Sequence, residues 1–114
     1  MKLHGQPFTN SDTCHGVAFA ANAPLDLAEI EISGRYPERG WARNLESHEM
    51  VRVLRGAGSL TLRDGEVIAL AEGDTVHVPA GDWFAWNGDM TVLMACSPAF
   101  DSKQYEIKEE RDEV

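Results

Sequence analysis

Two glycine-anchored stretches, separated by a short gap, constrain the fold of this chain more than anything else in it. The first ends Glu49-Met50-Val51-Arg52-Val53-Leu54-Arg55-Gly56, and the second runs Gly73-Asp74-Thr75-Val76-His77-Val78-Pro79-Ala80-Gly81. Around them the chain reads as short strands broken by turn formers. Residues 25–33 partly alternate apolar and polar side chains, the period of a strand. Residues 34–44 hold two glycines and a proline and read as a loop. Residues 45–55 and 58–63 read as two strands around Gly56-Ala57-Gly58. Asp64-Gly65 is a hairpin signal, because a tight turn needs positive φ and glycine supplies it at little cost. Residues 66–70 return, and 74–78 form a strand stopped by Pro79-Ala80-Gly81. Asn87-Gly88-Asp89, between Trp83–Trp86 and Met90–Cys96, is a second hairpin signal.

Strands this short and this close leave no room for a long helix before residue 100. They predict an all-β barrel or sandwich with at least seven strands. The length of 114 residues fits one domain over 1–114, with a core at about 25–100 and a charged tail at about 101–114. The tail reads as solvated chain, the forms open to it being a short helix, a solvated edge segment or partial disorder. A formal charge of -9 argues against nucleic acid and against anionic membrane surfaces, both of which need clustered Lys and Arg. Apolar runs such as Val92-Leu93-Met94-Ala95-Cys96 are too short to span a bilayer. The N-terminal residues lack a signal-peptide apolar core, so a cytoplasmic protein is expected. Cys14 and Cys96 have no metal-type spacing and are expected as free thiols.

The two stretches resemble the two motifs of the cupin family of small β-barrels. Glu49 and Gly56 keep the last spacing of the first motif, and Gly73, Pro79 and Gly81 match the second. The resemblance implies a single antiparallel cupin barrel, a double-stranded β-helix or jelly roll, and dimers are frequent among single-domain members. The family's histidines are missing. Phe84 stands at the second-motif histidine. Arg43 and Leu45, or Ala42 and Asn44, stand at the first-motif pair. Three histidines and a glutamate make the family's usual metal site, and Glu49 alone remains, so no metal and no cofactor are expected.

A barrel of this kind keeps its site inside, at the mouth, on inward side chains of several strands. With Glu49 inward, strand alternation puts Arg43, Leu45, Ser47, Val51 and Val53 on its side. A bulge between Arg43 and Glu49 replaces Arg43 and Leu45 with Ala42 and Asn44. Phe84 at the histidine position brings Trp86 inward with it. The candidate ligand-binding residues are therefore Arg43, Asn44, Glu49, Phe84 and Trp86, with Glu49 the candidate general base. Structural roles compete: Glu49 could pair with Arg43, and the aromatic side chains could be core. His48 faces away from Glu49, and His77 reads as structural. Gly56-Ala57-Gly58 is no phosphate loop, since no Lys-Ser/Thr follows. The function expected is metal-free binding of a small molecule, such as a small carboxylate held by Arg43, in a homodimer. The alternatives are a metal-dependent enzyme of dioxygenase, isomerase or lyase type with a rearranged ligand set, and an interaction module with a solid barrel.

Overall fold

The computed structural model describes residues 2–19 and 24–109. They form nine strands: β1 (Gln6–Ser11), β2 (Cys14–Phe19), β3 (Asp26–Tyr36), β4 (Trp41–Asn44), β5 (His48–Leu62), β6 (Val67–Ala71), β7 (Thr75–Val78), β8 (Phe84–Ser97) and β9 (Tyr105–Lys108). A 3-10 turn, Ser102–Gln104, precedes β9. All pairings are antiparallel, and the sheet curls into a barrel.

Three long strands make the framework. β8 lies between β3 on one edge and β5 on the other. β7 and β6 share the far edge of β5, against residues 49–52 and 57–61. After a bend at residues 37–40, β4 meets β8 at Ala42 opposite Phe84, and β9 pairs with β4. Burial follows the two-residue period of a pleated strand. In β5, Glu49, Val51 and Val53 are inward. Between Val53 and Arg55 the register with β8 shifts, so Leu54 is the extra residue of a bulge and Leu60 is the next fully buried side chain. Phe84, Leu60, Val51, Val53, Val78 and Val92 are the largest fully buried apolar side chains. Full burial of each contributes roughly 1.5–3 kcal/mol.

The Asp64-Gly65 turn joins β5 to β6. Gly65 takes φ 103°, and the Asp64 carboxylate accepts from the Glu66 amide at 2.9 Å. Asn87-Gly88-Asp89 does not turn; it lies in the middle of β8. Gly88 stands opposite Gly34 of β3 and Gly58 of β5. It has φ 135°, and a Cβ on it would fall inside the Gly58 backbone. The glycine serves close approach of strands instead of reversal. Three further expectations are corrected. Gly56-Ala57-Gly58 lies inside one continuous strand and does not divide two. The loop expected at 34–44 shrinks to the bend at 37–40, because Gly34–Tyr36 extend β3 and Trp41–Asn44 form β4. The tail is not solvated throughout, because residues 105–108 pair with β4 and bury Gln104 beneath them. Residues 110–114 of that tail lie outside the described residues. No turn or alternation signal described above predicts β1 or β2.

Candidate functional site

The interior near Glu49 is arranged by a residue from the far end of the chain. Gln104 Oε1 accepts from the amides of Glu46 and Ser47, at 3.0 and 3.1 Å. Its main-chain oxygen accepts from Leu45 N at 2.8 Å, and its Nε2 donates to Asn44 Oδ1 at 2.8 Å. Three successive amides between β4 and β5 are thus satisfied by one residue, as buried backbone demands. The connection changes the inward phase by one position. Ala42 and Asn44 are inward on β4, then Ser47 and Glu49, while Leu45 is 45% exposed. This is the bulged alternative among the expected phases.

Arg43 consequently points away from Glu49. Its Nε and a terminal guanidinium nitrogen both reach Glu106 Oε1 at 2.7 Å, and its plane lies 4.3 Å from the Trp83 ring centroid. The expected Arg43–Glu49 pair does not form, and Arg43 is a cross-strand tie between β4 and β9.

Glu49 is 4% exposed. Burial pushes its carboxyl up to about 7, and the charge of Asp26 adds to the rise. Asn44 and the Cys96 thiol oppose it. The Cys96 thiol approaches Oε2 at 3.8 Å. Asn44 sits beside the carboxyl, yet Oε1 meets no hydrogen-bond partner among the described residues. Near enough to feel the charge of this carboxyl are groups that the sequence motifs do not reveal. The Tyr36 and Tyr105 hydroxyls bond each other at 3.0 Å. Burial raises both phenols, and the Glu49 charge raises them further, so both remain protonated at neutral pH. Cys14 is also held as a thiol, pushed up to about 11 mainly by burial. The alternation in Tyr105-Glu106-Ile107-Lys108 is the one signal that could have drawn β9, and Tyr105 with it, toward the barrel.

Phe84 and Trp86 are both buried and meet edge to face, with centroids 6.0 Å apart. Trp86 stands opposite Tyr36 on β3 and Leu60 on β5. Both aromatic side chains belong to the core cluster, so they wall the interior as part of its packing.

The metal set carried by the motif resemblance does not fit these residues. Phe84 offers no lone pair, and the neighbouring thiols are held protonated, whereas metals take thiolates. Among the described residues no three His, Cys, Asp or Glu side chains converge. One carboxylate gives a transition metal too few donors.

The same fold occurs in Streptomyces Pac13, a nucleoside dehydratase solved with uridine. It is 17% identical, with a TM-score of 0.84 over 96% of this chain and 90% of that one. KdgF from Halomonas sp. is 18% identical, with a TM-score of 0.68 over 86% and 92%. Ectoine synthase from P. lautus is 11% identical, also at 0.68, over 93% and 86%. The zinc transport ATP-binding protein AdcC of Streptococcus pneumoniae is 30% identical over 79 residues, 67% of this chain. The chain spans about a third of that relative's length, 34%. ATP binding of that kind needs a glycine-rich loop ending in Gly-Lys-Ser/Thr, and this sequence contains no Gly-Lys step. That likeness therefore carries no nucleotide site here. A family model for the cupin domain matches residues 37–96, more than half of the chain, and with its curled antiparallel sheet the chain belongs to the cupin family.

Proposed function

We propose that the barrel interior binds a neutral, hydroxyl-bearing small molecule and moves a proton on it, with Glu49 as the proton carrier. The observation that carries this reading is Glu49 Oε1, a buried carboxyl oxygen with no partner among the described residues. Such an atom costs stability unless something other than the fold uses it. A carboxyl raised to about 7 has both its forms available near neutral pH, as general acid–base work requires. Tyr36, Tyr105 and Asn44 supply neutral polar contacts, and Phe84 and Trp86 an aromatic wall. No Lys or Arg among the described residues is buried. With Arg43 engaged by Glu106, a carboxylate ligand has no buried cation to meet among the described residues, which moves the ligand class from small carboxylates to uncharged compounds.

The fold shared with a nucleoside dehydratase supports a reaction of elimination type. In such a step the Glu49 carboxylate takes a proton from carbon and passes it to the hydroxyl on the adjacent carbon. The C–O bond breaks, water leaves, a carbon–carbon double bond forms, and Glu49 returns to its carboxylate form. The two buried free thiols are in keeping with a reducing cytoplasm. A homodimer is the expected assembly, which light scattering tests.

Tryptophan fluorescence tests the binding reading, with uridine as the neutral probe and acetate as the anionic one. A saturable change with uridine and none with acetate is expected. Trp86→Phe should abolish the change, and Glu49→Gln should weaken the affinity. A response to uridine whose affinity is the same in Glu49→Gln and Tyr36→Phe would sink the assignment. Silence toward every small molecule would favour the solid-barrel interaction module.

A further inference from the structure

On the outer face of β5, opposite in phase to Glu49, two histidines meet. His48 and Met50 point outward together, and β7 places His77 directly across from Met50. His48 and His77 are therefore diagonal cross-strand neighbours. Their Nδ1 and Nε2 atoms are 3.0 Å apart, and the rings stack with centroids at 5.2 Å and planes 24° apart. Both side chains are exposed.

We propose that His48 Nδ1 and His77 Nε2 form a two-donor site for a borderline divalent cation such as Zn²⁺ or Ni²⁺, with water completing the coordination. Imidazole nitrogens bind such ions at about 2.0–2.1 Å, so two on adjacent coordination positions sit roughly 3 Å apart. The pair already has that separation. As a hydrogen bond it needs one ring N–H aimed at the other ring's lone pair. When solvent moves that proton to the donor ring's other nitrogen, a tautomer change that keeps both rings neutral, two lone pairs face each other, and small ring rotations turn them toward one ion with no movement of the backbone. Pairing of β5 with β7 holds both Cβ positions, so the second nitrogen binds intramolecularly, the source of a chelate's advantage. Imidazole donors select this metal class over Mg²⁺ and Ca²⁺. The nearest cation along the outward face of β5 is Arg52, roughly 13 Å along the strand from His48. Its guanidinium turns to Thr75 Oγ1 at 3.3 Å. The net charge of -9 favours a cation at the surface. A bound ion would tie β5 to β7 one residue from Glu49.

Titration calorimetry of the full chain with Ni²⁺ in a non-chelating buffer tests the site. One equivalent should bind, and the midpoint of thermal unfolding should rise with Ni²⁺ concentration. His48→Ala and His77→Ala should each weaken binding about 100-fold, the loss of one arm of a chelate. His4→Ala and His15→Ala should leave it unchanged, although His15 sits 3.0 Å from Glu31 and is the competing donor pair. Paramagnetic broadening by Ni²⁺ should strike the Met50 methyl signal first, which locates the ion without any variant. Binding as tight in His48→Ala or His77→Ala as in the parent chain, binding lost in His15→Ala, or an unbroadened Met50 signal at one equivalent overturns the proposal. None of these readouts depends on the barrel interior.

Discussion

The seam where Gly34, Gly88 and Gly58 line up and the interior around Glu49 both draw on β3, β5 and β8, yet they are held by opposite means. At the seam, β5 and β8 come so near that backbone fills the space side chains would take at Gly58 and Gly88, and the Thr13 side chain covers Gly34. Around Glu49 the side chains remain, many are polar, and most find partners: Asn44 with Gln104, Tyr36 with Tyr105, Ser47 with the Pro98 carbonyl at 2.8 Å. Among the described residues the exception is one carboxyl oxygen, Glu49 Oε1. A region built for stability leaves no polar atom unmatched, and a region kept for chemistry does. The seam should therefore fail when mass is added, and the interior should gain stability when its charge is removed.

Adding mass at the seam should have the largest effect. Gly88→Ala puts a Cβ into the Gly58 backbone at φ 135°. Positive φ alone costs about 1–3 kcal/mol, and with the clash a loss of roughly 4 kcal/mol is expected. Urea unfolding at neutral pH measures it. A loss below about 1 kcal/mol would mean that the strands can part there, and the contrast between the two regions would dissolve.

Glu49→Gln should act in the opposite direction. The folded carboxyl is raised from 4.5 to about 7, so between those values the folded protein holds a proton that the unfolded chain has released. Stability is then full below the unfolded value and falls as pH rises through the folded one. The whole loss is at most about 3 kcal/mol at 1.36 kcal/mol per pKa unit. Unfolding curves from pH 4 to pH 8 should show this fall in the parent chain and a flat profile in Glu49→Gln. The variant should be the more stable of the two at pH 8. A parent profile without slope would mean that Glu49 ionises freely, and the interior would then be as fully matched as the seam.

Gln104→Ala should cost about 2 kcal/mol, because it leaves the buried Ser47 amide, the part-buried Glu46 amide and Asn44 Oδ1 without this partner. It should also weaken the uridine response, since the 45–47 connection sets the phase of Glu49. Stability loss with an unaltered response would confine Gln104 to the fold.

These two regions also differ in how far the sequence discloses them. Turn chemistry is local, so Asp64-Gly65 and Pro79-Ala80-Gly81 are legible residue by residue. Asn87-Gly88-Asp89 misleads because a glycine with positive φ suits a turn and a close strand approach equally. Only the β5 backbone at Ala57 and Gly58 decides between them, and it is remote in sequence. The position of Glu49 follows from its spacing to Gly56, but the choice between Arg43 and Asn44 does not. It depends on a hydrogen bond between residues 60 positions apart. Tyr36 and Tyr105 are hidden likewise, one in a segment that reads as loop and the other in a segment that reads as tail.

Arg43→Ala should have the smallest effect, and it separates a tie on the rim from a group of the site. Arg43 and Glu106 are 30% and 43% exposed, and both guanidinium contacts converge on one carboxylate oxygen instead of forming a two-pronged fork. Solvent screens such a pair, which contributes at most about 1 kcal/mol. Stacking on Trp83 adds a similar small amount, about 0.5–1 kcal/mol, because the face is partly solvated. The expected result is a stability loss near 1 kcal/mol, matched in part by Glu106→Gln, with the uridine response unchanged in both variants. A response lost in Arg43→Ala but kept in Glu106→Gln would bring Arg43 into the site after all. The rim would then belong with the interior around Glu49, and an anionic ligand would regain its cation.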